Sequence, residues 1–140
     1  MTDPNLRTAH LEWTGTGMRF RGAGTLPVTP EIAIDGDGET GPSPTLLLLL
    51  SAAACSASDV VLILTKGRVS LRRVAVDVQG TRREIEPRRF VKIRYRFVIA
   101  GENLDRARAE RAVKLSVDKY CSVMHTLAPD IDVAYDIVLE

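Results

Sequence analysis

The stretch that opens at Ser43-Pro44 and runs through five consecutive leucines, Leu46 to Leu50, constrains the fold more than any other. Serine followed by proline is a helix start: a side chain that accepts from an orphan backbone N–H, then a residue whose fixed φ suits the first turn. The helical pattern continues through Cys55 and Asp59 to about Lys66, where Gly67 ends it. It is apolar nearly all round and so must be buried on most sides. Its most hydrophobic part gives way to serines and then to Asp59, which reads as too short and too polar to span a bilayer. A small antiparallel sheet cannot easily surround such a helix, so a second copy of the chain is expected to cover the remaining face as a symmetric dimer.

Around this helix the chain reads as α+β. Val74, Val76 and Val78 alternate on one face, as do Val91, Ile93, Tyr95, Phe97 and Ile99, and again Ile131, Val133, Tyr135, Ile137 and Leu139. Polar residues between them mark half-buried antiparallel strands with one wet face. Gly80 to Pro87 reads as the polar connection of a hairpin between the first two. Ala9 to Trp13, Gly17 to Gly22 and Val28 to Ile34 read as shorter strands joined by glycine-rich turns, and Gly36-Asp37-Gly38 as a turn. A second, amphipathic helix begins near Asn103 or Asp105, pauses around Tyr120 and continues briefly through Leu127 until Pro129 stops it.

With 140 residues, 45% hydrophobic and 26% charged, the chain suits one globular domain over residues 1–140 that builds a core without staples. A formal net charge of +1 provides no global basic field for nucleic acid or an acidic membrane. The local arginines, Arg72, Arg73, Arg82, Arg83, Arg88 and Arg89, read as a solvated surface. The polar stretch Met1 to His10 lacks the apolar run of a secretory signal, which places the protein in the cytoplasm. Two cysteines in such a chain are not expected to be a permanent staple.

Those cysteines are the groups that can carry chemistry. Cys55 falls in the middle of the long helix among Ala52, Ala53, Ala54, Ser56 and Ala57, small neighbours that let a substrate or another backbone approach the sulfur. Cys121 follows Tyr120 at the start of a helical turn, where a helix N-terminus favours thiolate. Each taken alone also fits an inert core cysteine. Cys121 and His125 are four apart, but zinc needs three or four ligands and neither a CxxC nor a histidine pair is present. No metal or other cofactor is expected. A Ser-His-Asp triad has no nucleophile-elbow pattern behind it.

Gly41-Pro42-Ser43-Pro44, the leucine run and Ala54-Cys55 resemble the signature helix of the osmotically inducible protein C and organic hydroperoxide resistance family. Leu115-Ser116-Val117-Asp118-Lys119-Tyr120-Cys121-Ser122-Val123 is similar to that family's second-cysteine segment. The resemblance covers roughly Gly41 to Leu139. It implies antiparallel sheets around a central helix, an intertwined homodimer with its active site at the subunit interface, a peroxidatic Cys55 and a resolving Cys121. It further implies an organic hydroperoxide as substrate and a dithiol as reductant. Family members supply an arginine from an early strand, for which Arg19 is the nearest counterpart and Arg21 the alternative.

Two positions depart from the family pattern. Where a glutamate usually follows the proline and orients the arginine, this chain has Thr45 and Leu46, and Ser122 replaces a proline. Asp59, one turn beyond Cys55, either holds the arginine or faces polar surroundings. The rival function is a non-catalytic or redox-sensing module that holds a small apolar ligand. A carboxylate at Arg19 separates the two, because without one binding gains ground.

Overall fold

The computed structural model describes residues 3–140. Contacts divide the chain into two compact units, one ending at Leu48 and one running from Leu49 to Glu140.

The first unit is an antiparallel sheet of β1 (Thr8–Trp13), β2 (Arg19–Leu26) and β3 (Ile32–Asp35), in that order. β2 runs further than its glycines suggest, and β3 starts later, with only a Thr25–Val28 bridge ahead of it. Arg19 pairs with Asp35 and Arg21 with Ala33, so the register puts Arg19 at the end of β3 and Arg21 nearer its start. The turn after β3 is built on Asp35, whose carboxylate accepts from the backbone of Asp37 (2.8 Å) and Thr40 (3.0 Å) and from the Thr40 hydroxyl (3.0 Å).

α1 (Pro44–Lys66) begins where the cap predicts, with Ser43 Oγ accepting from Leu46 N at 3.3 Å. It ends in a Schellman turn: Arg68 N donates to Thr65 O and Val69 N to Leu64 O. The left-handed residue is Arg68 (φ 65°), one position past the expected Gly67. A single stripe of the helix is buried, Leu49, Ala52, Ala53, Ser56, Val60 and Leu64, at the spacing of one helical face. Leu46, Leu50, Val61 and Leu62 stay 41–54% exposed within one chain, so burial on most sides is not achieved by a single copy. At 23 residues α1 is also long and apolar enough to cross a membrane by length and composition, contrary to the expectation that the run is too short. Its buried stripe packs it instead as the core helix of an α+β fold.

The second sheet orders β4 (Ser70–Arg82), β5 (Phe90–Glu102) and β6 (Asp132–Leu139) with β5 in the centre. β4 and β5 form the expected hairpin, but β4 continues through Gly80, which pairs with Ile93. Glycine stands there for lack of room: a Cβ would lie 2.5 Å from the Phe90 ring and 2.8 Å from Leu49 Cδ2. β6 lies parallel to β5, where antiparallel pairing was expected. The intervening α2 (Arg106–Leu115), π-helical turn (Ser116–Tyr120) and α3 (Ser122–Thr126) form a crossover, and a crossover returns the chain in the same direction. Asp105 caps α2 by accepting from Arg108 N at 2.8 Å. The alternating residues Ile93, Tyr95, Phe97 and Ile99 are buried as read.

Candidate active site

Cys55 and Cys121, 66 positions apart, are brought together in the second unit. The π-turn does this locally. Cys121 N donates to Ser116 O at 2.8 Å, a five-residue step that widens the helix before the chain turns into α3 at Cys121. Cys121 is fully buried, and its Sγ donates weakly to Ala52 O at 3.9 Å. Ala52 is one turn before Cys55 on the same face of α1. The Cys55 thiol is accordingly close enough to the Cys121 thiol to act on its ionisation. Both are free, Cys55 half-buried and Cys121 buried.

Burial pushes the Cys121 thiol up to about 11. Its start-of-helix position does act in the expected direction, through the backbone N–H of Met124, but loss of water outweighs it and Cys55 adds to the rise. The expectation of a thiolate-favouring environment at Cys121 is therefore reversed in the folded chain.

A chain of hydroxyls stands beside the thiols. Ser116 Oγ donates to Asp59 Oδ2 at 2.8 Å. Its single hydrogen being used, Ser116 is the acceptor of the 2.9 Å contact with the buried Ser56, which donates. Asp59 thus has Ser116 as its partner. It also lines an open groove of about 620 Å³ with Leu62, Ile63, Lys66, Arg111 and Tyr120.

Arg19 belongs to the first unit. Its side chain is 42% exposed, with Nε 3.8 Å from Asp35 Oδ2 and Nη2 3.8 Å from Glu39 Oε2. Among the described residues no carboxylate reaches Arg21. Asp35 is itself 1% exposed, and its hydrogen bonds from Thr40 and Asp37 hold its carboxyl below the usual range. Sequence reasoning missed this carboxylate because it looked beside Pro44. The available signal was the Gly36–Gly38 turn, which ends the strand that pairs with Arg19.

Tyr95 was read only as one of an alternating apolar set. Burial, and after it the Cys121 and Cys55 thiols, push the pKa of its hydroxyl far above the usual phenol value. Among the described residues no three His, Cys, Asp or Glu side chains converge as a metal ion requires.

The fold and the paired thiols define an α+β protein of the OsmC-like class, and the family model for OsmC-like protein matches residues 36–136. The chain belongs to that family. It is 38% identical to Protein YhfA of Escherichia coli over 133 residues, 93% of this chain and 97% of that one. A hypothetical protein from Aquifex aeolicus superposes with a TM-score of 0.83 at 30% identity, covering 97% of this chain and 98% of its own. The organic hydroperoxide resistance protein OhrB of Bacillus subtilis shares the fold, with a TM-score of 0.60 at 17% identity over 96% and 98% of the two chains.

Proposed function

We propose that this chain is a thiol-dependent peroxidase that reduces organic hydroperoxides, with Cys55 peroxidatic and Cys121 resolving. The observation that carries the reading is the meeting of two free thiols, one half-buried and one fully buried. The half-buried sulfur is the one a substrate reaches, so Cys55 attacks first. Its thiolate takes the terminal oxygen of ROOH, the O–O bond breaks, and RO⁻ gains a proton to leave as alcohol. Cys121 then attacks the Cys55 sulfenic acid, a disulfide forms and water departs. A dithiol returns both sulfurs to thiols in two exchange steps, being itself oxidised to a disulfide. Such a cycle suits the reducing cytoplasm.

A half-buried thiolate gains from a positive partner, the part that the family resemblance gives to Arg19. Asp35 and Glu39 each lie 3.8 Å from Arg19, carboxylates that the sequence argument for a non-catalytic module takes to be missing. The whole chain is taken as one domain that works as a homodimer, since the exposed side of α1 calls for a cover. A second reading, a carrier of small apolar ligands, draws on the groove of about 320 Å³ lined by Leu11, Ile32 and Ile34 in the first unit.

Consumption of cumene hydroperoxide with a dithiol reductant tests the function. Wild type should turn over, Cys55→Ser should abolish turnover, and Cys121→Ser should oxidise once without closing a disulfide. Wild-type protein as inert as Cys55→Ser would leave the carrier reading in place.

A further inference from the structure

Tyr95 lies at the middle of β5, 3% exposed, its ring packed beside Phe97 with centroids 5.7 Å apart. Its hydroxyl is the only buried side-chain polar atom without a hydrogen-bond partner among the described residues. Buried hydroxyls are almost always paired, because leaving one bare costs its full desolvation. Phenylalanine would fill this core position without that cost, and the flanking buried positions are indeed Ile93 and Phe97. The groups that act on the hydroxyl electrostatically are Cys121 and then Cys55. A buried donor without a partner therefore lies within electrostatic reach of the two sulfurs, which as thiols are weak acceptors. Oxidation of Cys55 adds an oxygen to one of those sulfurs.

We propose that Tyr95 is a further catalytic residue, whose hydroxyl donates a hydrogen bond to the oxygen that Cys55 acquires and speeds that oxygen's departure as the disulfide closes. The assignment rests on the reading of Cys55 as the oxidised thiol. In the closing step Cys121 Sγ attacks Cys55 Sγ, the S–S bond forms and the S–O bond breaks. The departing oxygen takes the proton Cys121 gave up and leaves as water. The Cys55 sulfur is reduced from the sulfenic to the disulfide level as the Cys121 sulfur is oxidised to it. Negative charge grows on the leaving oxygen, and a fixed donor within reach of it lowers the barrier. Tyr95 keeps its own proton throughout, because burial and the thiols hold the phenol neutral.

The test is Tyr95→Phe, which removes one oxygen and leaves the ring. Reduced protein is mixed with one equivalent of cumene hydroperoxide, quenched over time, and its Cys55 sulfenic acid and Cys55–Cys121 disulfide are counted by peptide mass spectrometry with dimedone trapping. Tyr95→Phe should close the disulfide at least tenfold more slowly, with sulfenic acid accumulating, and should melt no lower than wild type. Closure at the wild-type rate overturns the proposal. So does a lower melting temperature with unchanged closure, which would give the hydroxyl a structural partner instead. A parallel series uses excess hydrogen peroxide, which oxidises an accessible thiol without enzymatic help. If cumene hydroperoxide leaves wild type untouched while Tyr95→Phe still retards closure after hydrogen peroxide, the peroxidase reading falls and the role of Tyr95 stands.

Discussion

Asp35 Oδ2 lies 3.8 Å from Arg19 Nε, and the two residues pair across β2 and β3. The carboxylate is fixed by three hydrogen bonds from its own turn, whereas the guanidinium is partly in solvent. The geometry makes Asp35 the anchor and Arg19 the group being aimed. On the peroxidase reading, an arginine freed of its anchor samples more rotamers and presents its donors to substrate for less of the time. Arg19→Ala should lower kcat/KM for an organic hydroperoxide by about tenfold to a hundredfold, and Asp35→Asn by about tenfold. Equal kcat/KM for wild type and a folded Arg19→Ala would remove Arg19 from the mechanism.

The same aspartate has an acid signature. Its folded pKa is lowered, so its hydrogen bonds contribute stability that is fully present above the unfolded value of about 3.9 and is lost as pH falls through the folded value. Asp35→Asn should melt below wild type at neutral pH, and the gap should narrow on acidification below about pH 4. A gap independent of pH would mean that the charge of Asp35 contributes nothing.

Cys121 titrates in the opposite sense. With its thiol pushed up to about 11, only a small fraction is thiolate at neutral pH, and that fraction rises about tenfold per pH unit until pH nears 11. If the Cys121 thiolate closes the disulfide, the closing rate measured in stopped flow after a fast oxidation should climb with pH across 7 to 10. A plateau near pH 8 would indicate that Cys121 escapes its burial before it reacts.

Local chemistry made part of this fold legible. Ser43-Pro44 fixes the start of α1 whatever packs on it, and the alternation in β5 reports the face that Ile93, Tyr95, Phe97 and Ile99 bury. What stayed hidden depends on partners distant in sequence. The direction of β6 follows from the crossover and not from its own alternation, which is the same for either sense. The Asp35 carboxylate reaches Arg19 through strand register across 16 positions. The thiol of Cys121 follows burial by the whole unit, which overrides the helix turn visible in its neighbours. Tyr95 hid because a phenol and a phenylalanine alternate alike.

Gly80 was misread for a related reason, as a turn residue, when it is a packing residue in β4. Its missing side chain admits the edge of Phe90, itself 7% exposed, so the ring cannot swing away into solvent. Gly80→Ala should destabilise by about 1–3 kcal/mol, the cost of forcing a methyl group into a filled core. Urea unfolding checks this. Phe90→Leu in the same chain should recover part of the loss, whereas a Gly80→Ala midpoint at the wild-type value would show that the hairpin end yields.

The exposed side of α1 leads to the last prediction. Leu46, Leu50, Val61 and Leu62 present apolar surface along the helix, each 41–54% exposed in one chain, and Leu11 and Trp13 of the first unit are each 56% exposed. Soluble monomers rarely leave that much apolar surface to water, and burying it returns about 25 cal/mol for each Å² removed. A second copy supplies the same apolar helix face, and a two-fold axis lets one surface match itself. Sedimentation at low micromolar concentration should therefore show dimer only. Leu50→Lys with Leu62→Lys places two like charges per chain on that face at positions that a single chain leaves half in solvent, so folding should survive while association is lost. The double variant should sediment as a folded monomer, checked by circular dichroism. If the active site lies at the subunit interface, as the family resemblance implies, the double variant should also lose most of its hydroperoxide reduction. A wild-type monomer that is stable and fully active would remove both the dimer and its part in the site.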